Sequence, residues 1–564
     1  MITQTVFDTS RVFTAHGITH VVLSPGSRNA PLTLSFARNE ACNIYNIVDE
    51  RSAAFIALGM AQRLNKPVVL CCTSGTALLN YAPAVAEARY QQIPLVVISA
   101  DRPPEWQEQR DGQTIDQLGA LDNFIKKSFN LPVDTSHQDA AWEYNRKLNE
   151  AINTCQQGPA GPVHINIPFR EPFYPGEQQI NFSEQVRTFK QHAFTQAPDW
   201  SELLEKYEQY DRPLLVIGQQ RSNQELERDL PGLAEHLVPV ADVISNVLFD
   251  GAIRHQDLFL TGMDPKLQES LRPDLLITCG KSVISKSLKT YLRTNPPKAH
   301  WHIDPDGVAP DTFQHLTDVI RTNVEHFTHA LANYQPPGPE FNLQVRSNFI
   351  QNWKIENDKL QRRMEQVLAT ATFCEFTAFD RVIASLPANI DLHLANSMPV
   401  RFANFIQQLP EGVEVYANRG TSGIDGTNGT AVGNALVADK TTLLLTGDLS
   451  FFYDRNAFFH PYSLEGLKII VFNNGGGGIF RLIPGPKNLP ERPQHFETAH
   501  QHSAKFTALE YGFDYHSAKD YESLDKALNA LHKDDKTPKL LEIFLDGSAS
   551  EKAYADLRQE INDR

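Results

Sequence analysis

TTLLLTGDLS (Thr441–Ser450) and LKIIVFNNGGGG (Leu467–Gly478) decide the fold of this chain. Each is an apolar run that closes in oxygen-bearing side chains and glycine. Gly447-Asp448-Leu449-Ser450 ends the run Thr441–Thr446, and Asn473-Asn474-Gly475-Gly476-Gly477-Gly478 ends the run Leu467–Phe472. Two buried strands with such endings place hard-cation ligands at adjacent strand ends, where open α/β sheets bind their ligands. A magnesium ion takes a few carboxylate or carbonyl oxygens and leaves its other positions to water or phosphate. Asp448, the side-chain oxygen of Asn474 and a glycine carbonyl near Gly476 meet that need, so a divalent-metal and diphosphate site is expected here.

The same grammar runs through the rest of the chain. In the first third a helix ending near Gly17 precedes a strand His20–Leu23, followed by the loop Ser24–Arg28. Further strands are expected at Asn43–Val48, Val68–Cys72, Leu95–Ala100 and Pro162–Pro168, with Thr73-Ser74-Gly75-Thr76-Ala77 leading into a helix. Near-continuous apolar strands separated by helices indicate a parallel sheet covered on both faces. A polar stretch from about Pro175 to Pro198 reads as a linker. Beyond it, Pro213–Gly218, Leu275–Gly280 and His300–Asp304 form a second α/β unit. Tyr334-Gln335-Pro336-Pro337-Gly338-Pro339 is a strong breaker cluster and marks the second boundary. The last unit, with Asp391–Ala395, Val413–Ala417, Thr442–Thr446, Lys468–Phe472 and Lys539–Leu545, repeats the first. Three doubly wound parallel-sheet α/β domains follow, over residues 1–180, 190–335 and 345–564. The first and third are expected to be alike. Gly420, Gly423, Gly426 and Gly429 fall three apart and read as a loop.

At 564 residues the chain is too long for one core. Its 41% apolar and 21% charged content is that of a soluble globular protein. A formal charge of −15 argues against nucleic-acid or anionic-membrane partners, since no basic excess exists to neutralise phosphates. Small anionic substrates need only a few local arginines. The six cysteines, Cys42, Cys71, Cys72, Cys155, Cys279 and Cys374, include no C-x-x-C pair and read as buried free thiols of a reducing compartment. The start lacks a basic segment followed by an apolar core, so no secretory signal is expected. No apolar stretch approaches ~20 residues, so no membrane span is expected either. A cytoplasmic location follows.

Asp448 is followed 26 positions later by Asn474 within Asn-Asn-Gly. This spacing resembles the thiamine-diphosphate motif, Gly-Asp-Gly followed about 25–30 residues on by Asn-Asn, but Leu449 stands where most of that superfamily has its second glycine. One branch shares the departure. SPGSRNAPL (Ser24–Leu32), DERSAAFIALGMA (Asp49–Ala61), TSGTA (Thr73–Ala77), ADRPPE (Ala100–Glu105), GPVHINIPFREPFYP (Gly161–Pro175), NRGTSGIDG (Asn418–Gly426) and GDLSFFYDRNA (Gly447–Ala457) together resemble the 2-succinyl-5-enolpyruvyl-6-hydroxy-3-cyclohexene-1-carboxylate synthases of menaquinone biosynthesis. Seven motifs in this order, over nearly the whole chain, are highly specific.

The resemblance implies a pyrimidine-binding domain first, a central domain, and a diphosphate-binding domain last. It implies thiamine diphosphate with Mg²⁺ or Mn²⁺ as cofactors. The implied reaction is decarboxylation of 2-oxoglutarate and conjugate (1,4) addition of the resulting four-carbon unit to isochorismate. Glu50 is the implied catalytic acid, because a carboxylate hydrogen-bonded to the aminopyrimidine ring favours the tautomer that takes the thiazolium proton. By position alone it would be a solvated acid in a charged triplet. Asp448, Asn474 and Gly476 are the implied metal ligands. Further cofactor contacts are implied at Thr73, Gly75, Gly420, Ser422, Gly423, Ile424, Gly447, Leu449, Ser450, Gly477, Ile479 and Phe480, with Ile424 as the wedge beneath a bent cofactor. The glycines of Arg419–Ile424 permit close approach.

Both substrates are dicarboxylates, so several fixed cations are needed. Ser397 and Arg401 lie one helical turn apart at an expected helix start, where backbone N–H groups also favour an anion. The resemblance assigns Arg401 and Arg419 to carboxylates, with the 2-oxoglutarate-derived unit at Arg401. It places Ser27, Arg28, Arg102, Gln113 and Lys286 nearer isochorismate. Guanidinium groups bind carboxylates bidentately and so fix orientation; a structural ion pair is the alternative for each. The family often has Asn-Gln where this chain has Gly112-Gln113, and some members have Lys-Arg where it has Lys286-Ser287. Since Glu50 and Asp448 fall in different domains and superfamily members draw the two from different subunits, a homodimer, often paired into a tetramer, is implied. The competing readings are another thiamine carboligase or 2-oxoacid decarboxylase, and a non-catalytic binding protein of the same fold. Gly280-Lys281-Ser282 lacks the earlier glycine of a P-loop, and neither Gly-x-Ser-x-Gly nor His-Glu-x-x-His occurs.

Overall fold

The computed structural model describes residues 3–174, 181–191, 198–334, 342–406, 409–483, 485–533 and 537–562. Within them the chain builds three parallel sheets. The first contains β1 (His20–Leu23), β2 (Asn43–Asn46), β3 (Val68–Cys72), β4 (Leu95–Asp101), β5 (Ser128–Asn130) and β6 (Val163–Pro168), in the spatial order β2-β1-β3-β4-β6-β5. The second contains β7 (Pro213–Ile217), β8 (Val238–Ala241), β9 (Leu275–Cys279), β10 (Ala299–Ile303) and β11 (Asp318–Ile320), in the order β11-β10-β9-β7-β8. The third contains β12 (Asp391–Leu394), β13 (Glu414–Tyr416), β14 (Thr442–Gly447), β15 (Leu467–Asn473), β16 (Asp514–Ala518) and β17 (Lys539–Phe544), in the order β13-β12-β14-β15-β17-β16.

Counted from its own first strand, each six-stranded sheet reads 2-1-3-4-6-5, so the first and third units share one topology. The second follows the same winding with one strand fewer. In each sheet the chain winds outward one way from the first strand and the other way from the third, which leaves a crevice at the carboxyl ends between them. The central strands are apolar along their length because helices cover both faces. β3, β4 and β15 are buried at every position.

Four strands were not anticipated: β5, β8, β11 and β16. The glycine series also differs from the expected loop, since Gly429 lies inside the helix Thr427–Ala435. The described part of the expected linker packs on the first unit: Asp8 accepts the Ser183 amide at 2.9 Å, and Asn149 and Asn153 accept those of Phe189 and Gln191, each at 3.1 Å. Of the breaker cluster only Tyr334 lies among the described residues.

Glycine brings the first and third units together. The helix Glu50–Leu64 packs on Thr427–Ala435 so closely that a Cβ at Gly59 would lie 2.0 Å from the Thr430 carbonyl oxygen, and one at Gly433 2.0 Å from that of Ile56. Neither backbone oxygen can move without displacing its helix. Gly433→Val should therefore cost about 3 kcal/mol or more, at the upper end of overpacking. The variant's denaturant midpoint should fall well below that of the wild-type chain; an unchanged midpoint would mean that the helices do not approach this closely in solution.

Candidate active site

Four consecutive strand ends of the third sheet carry most of the expected site. β13 runs into Asn418–Ile424, β12 into Asn396–Arg401, β14 into Asp448 and β15 into Asn474. The β14/β15 register pairs Gly447 with Phe472, which sets Asp448 beside the Asn473–Asn474 turn. Asp448 opens the helix Asp448–Tyr453 and is 2% exposed. Its Oδ1 accepts the Leu449 amide at 2.6 Å, its Oδ2 accepts the Gly476 amide at 3.0 Å, and His500 Nε2 lies 3.3 Å from Oδ2. Burial raises the Asp448 pKa, against the His500 ring and these amides, which lower it. Gly476 has φ +154°, and a Cβ there would lie 2.6 Å from the Glu497 carbonyl oxygen. Only glycine fits that turn.

Asn474 carries the strongest sign of a ligand-holding role. Its Nδ2 donates to Glu375 Oε2 at 2.9 Å, while its Oδ1 is buried without a hydrogen-bond partner. Buried amide oxygens are rarely left so. Glu375, from the helix Glu375–Ala384, thereby fixes which end of the amide faces the site, as outer partners of metal ligands do. Burial pushes the Glu375 carboxyl up to about 7, helped by the charge of Asp448 and opposed by the Asn474 bond. One carboxylate and one free amide oxygen fit a hard divalent cation that takes its other ligands from phosphate or water. No cluster of three His, Cys, Asp or Glu side chains able to hold a metal occurs among the described residues.

The loop Asn418–Ile424 is held from several sides. Ser450 Oγ donates to the Ile424 carbonyl at 2.6 Å, and Ile424 is 38% exposed. Asn396 Nδ2 donates to the carbonyls of Asn418 and Gly423 at 2.7 and 2.6 Å, and Asn396 Oδ1 accepts from Arg419 Nη1 at 2.9 Å. Arg401, on the helix Met398–Ile406, donates Nη1 to the Ser397 carbonyl. Gln113, Ser397 and Ser422 have φ of 53°, 74° and 64°, left-handed values that non-glycine residues adopt at a cost, often at functional sites.

Arg401 and Arg419 are largely withdrawn from solvent, and neither forms an ion pair among the described residues. Arg419 Nε is buried without a hydrogen-bond partner. Burial lowers both pKa values, and for Arg419 the neighbouring Arg401 lowers it further. Desolvated, unpaired guanidinium groups are costly unless an anion meets them.

The remaining residues gather at the carboxyl ends of the first sheet. Ser27 and Arg28 follow β1, Thr73 and Gly75 follow β3, and Arg102 follows β4. The first two loops touch: a Cβ at Gly26 would lie 2.4 Å from Thr73 Cβ. Gln113 joins them, its carbonyl accepting from Ser74 Oγ at 2.9 Å. Arg28 donates to the Phe169 carbonyl at 3.0 Å and lies 4.6 Å from the Phe173 ring centroid. Arg102 is pinned within its own loop, with Asp111 at 2.8 Å and the Thr114 hydroxyl at 2.6 Å, so the structural ion pair is what this structure contains. Lys286 opens the helix Lys286–Thr294 and is exposed. Glu50 opens the helix Glu50–Leu64, half-buried, and among the described residues no hydrogen bond or ion pair joins it to Asp448 or Asn474.

Glu375, Asn396 and His500 were missed in the sequence. Glu375 lies 99 positions from the Asn474 it orients, and no local pattern marks such a pair.

Comparison with known proteins agrees with this geometry. Two family descriptions match: "Thiamine pyrophosphate enzyme, N-terminal TPP binding domain" over residues 7–120, and "Middle domain of thiamine pyrophosphate" over residues 177–394. The chain is 42% identical over 564 residues to the 2-succinyl-5-enolpyruvyl-6-hydroxy-3-cyclohexene-1-carboxylate synthase of Cytophaga hutchinsonii, with 99% of each chain covered. It is 40% identical over 537 residues to the synthase of that name from Porphyromonas gingivalis, covering 94% of this chain and 92% of that one. For the Flavobacterium johnsoniae synthase the identity is 39% over 537 residues, with 94% of each covered. A likeness of this strength along the whole length, on a fold with two strand-end sites, makes the chain a thiamine pyrophosphate enzyme belonging to the 2-succinyl-5-enolpyruvyl-6-hydroxy-3-cyclohexene-1-carboxylate synthase family.

Proposed function

We propose that this enzyme decarboxylates 2-oxoglutarate and joins the four-carbon unit to isochorismate by conjugate addition. The products are 2-succinyl-5-enolpyruvyl-6-hydroxy-3-cyclohexene-1-carboxylate and CO₂, as a step of menaquinone biosynthesis. The observation that carries the substrate class is the pair Arg401 and Arg419, half-buried and free of ion pairs among the described residues, beside the strand ends of Asp448 and Asn474. Such a pair fits the carboxylates of a small dicarboxylate.

Thiamine diphosphate, when bound, supplies the nucleophilic carbon and the electron sink that decarboxylation requires. Asp448 and Asn474 Oδ1, with the Gly476 carbonyl, would hold Mg²⁺ or Mn²⁺ at the diphosphate end. Gly420, Ser422, Gly423, Gly447, Leu449, Ser450, Gly477, Ile479 and Phe480 line that side, and Thr73 and Gly75 the pyrimidine side. Glu50 would hydrogen-bond through its carboxylate to the aminopyrimidine ring and so favour the tautomer that takes the thiazolium proton. Arg401 and Arg419 orient 2-oxoglutarate, while Ser27, Arg28, Gln113 and Lys286 face isochorismate. Arg102 joins them only if its pair with Asp111 opens. Residues 1–180, 190–335 and 345–564 serve as pyrimidine-binding, central and diphosphate-binding domains.

The working unit in this reading is a homodimer, paired further into a tetramer, with Glu50 of one subunit facing Asp448 of another. Large exposed apolar side chains in the segments that follow β2, β4 and β14 support it: Val48 is 58% exposed, Leu118 45%, Tyr453 52% and Phe459 56%. Exposed apolar side chains, where they gather into one patch, mark an interaction surface. We place the enzyme in the cytoplasm, which suits six free cysteines.

A coupled assay with 2-oxoglutarate, isochorismate, thiamine diphosphate and Mg²⁺, each omitted in turn, tests the proposal. Product should form only when all four are present. Equal 2-oxoglutarate turnover without isochorismate, or a preference for pyruvate, would point to a different carboligase or decarboxylase.

A further inference from the structure

One buried carboxylate from the first domain holds the loop that carries Arg419. Glu87, on the helix Ala82–Gln91, is 1% exposed. Its Oε1 accepts the Gly420 amide at 2.7 Å, and its Oε2 accepts the Thr421 amide at 2.7 Å and the Thr421 hydroxyl at 2.5 Å. Gln91, one turn further on, donates Nε2 to Oε1 at 2.5 Å. Gln91 also ties this group to the central domain. Gln219 Nε2 reaches Gln91 Oε1 at 3.2 Å and the Ala417 carbonyl at 2.9 Å, and Lys281 Nζ donates to the Gln91 carbonyl. All three domains meet at this point.

The loop is thus clasped on two sides. Asn396 holds Asn418, Arg419 and Gly423 from within the third domain, and Glu87 holds Gly420 and Thr421 from the first. There is little room for the loop to shift, because a Cβ at Gly420 would lie 2.8 Å from the Glu87 carbonyl oxygen and 3.0 Å from Tyr90 Cβ. Glu87 has no ion pair among the described residues, so its charge is met by four hydrogen-bond donors. A glutamine could not replace it, since it has one acceptor oxygen and brings two donors of its own. With Gln at this position, at least one loop donor loses its acceptor.

We propose that Glu87 is a positioning residue for substrate recognition: by fixing Gly420 and Thr421 across the domain boundary, it sets the Arg419 guanidinium beside Arg401 and so governs affinity for the dicarboxylate. This rests on the assignment of Arg419 to 2-oxoglutarate made above.

The test is a double-mutant cycle in the full-length enzyme with thiamine diphosphate and Mg²⁺, comparing wild type, Glu87→Gln, Arg419→Ala and the double variant. Glu87→Gln should raise KM for 2-oxoglutarate by about 10- to 100-fold, the range for a lost hydrogen bond to a charged group. kcat should stay within about threefold, and Mn²⁺ affinity in the presence of thiamine diphosphate within about twofold. In the Arg419→Ala background the same change should move KM by less than about twofold, because the residue it acts through is gone. Additive effects, or an unchanged KM in Glu87→Gln, would overturn the inference and leave the Arg419 assignment standing. A wild-type KM in Arg419→Ala alone would instead remove that assignment, and the inference with it. If Glu87→Gln fails to fold, Thr421→Val removes only the hydroxyl bond. It should raise KM by about threefold to tenfold in the wild-type background and leave it unmoved beside Arg419→Ala; equal rises in both would count against the inference.

Discussion

Replacing Glu50 with Gln should lower turnover by about 10²- to 10⁴-fold, the usual contribution of a positioned acid–base group. The surroundings of Asp49-Glu50-Arg51 separate this carboxylate from its charged neighbours. Asp49 caps the helix, accepting the Ser52 amide at 3.1 Å, and its other oxygen takes Asn456 Nδ2 at 2.9 Å. Arg51 donates to the Tyr453 carbonyl at 2.9 Å and lies 4.7 Å from the Tyr453 ring centroid. Both flanking charges are therefore occupied in joining the first domain to the third. The Glu50 side chain has no hydrogen bond among the described residues, and its half-buried carboxylate stays available at the start of the helix Glu50–Leu64. Gln keeps the shape and removes the exchangeable acid, so folding and Mn²⁺ affinity should match wild type. Hydrogen–deuterium exchange at the thiazolium carbon of added thiamine diphosphate should slow by a factor comparable to the loss in turnover. Exchange at the wild-type rate would exclude Glu50 from the role.

The strands that the sequence hid share a position in the sheet, although the edge strands β2 and β13 were anticipated. β3, β4, β14 and β15 are internal, buried on both faces, and stand out as apolar runs. The four unanticipated strands all lie at sheet edges. β5 (Ser-Phe-Asn), β11 and β16 are short and mixed in polarity, since an edge faces solvent and gains little from apolar residues. β8 carries Pro239, which an edge strand tolerates and an internal one does not. The strand ends proposed to hold the metal stood out for a related reason. Asp448 and Asn474 close two internal runs directly, so strand and ligand are read together. Glu375 acts on Asn474 from 99 positions away, and Glu87 and Asn396 act on the loop after β13 from other segments, so only packing places them. Arg102 shows the opposite limit: its position at the end of β4 was visible, but its engagement by Asp111 was not.

Asp448→Asn should weaken Mn²⁺ binding in the presence of thiamine diphosphate by at least about 100-fold, since loss of a direct ligand should exceed the 10- to 100-fold typical of outer partners. Asp448 supplies the only carboxylate among the three expected protein ligands, beside an amide oxygen and a glycine carbonyl. Asn at this position removes the charge. It also presents an NH₂ group either to the Gly476 amide or to the Leu449 amide, each of which needs an acceptor. Either orientation leaves one of these N–H groups unmet at the mouth of the site, so the glycine turn after β15 should loosen as well. Titration by electron paramagnetic resonance of Mn²⁺ reads the effect without turnover, and far-ultraviolet circular dichroism should show the sheets intact. The two variants should give crossed results. Glu50→Gln retains the metal and loses proton exchange, whereas Asp448→Asn loses the metal first and its exchange only because the cofactor no longer stays. Mn²⁺ bound to Asp448→Asn with wild-type affinity would move the metal away from β14, and Asn474 Oδ1 would then need a different partner to account for its buried, unbonded oxygen.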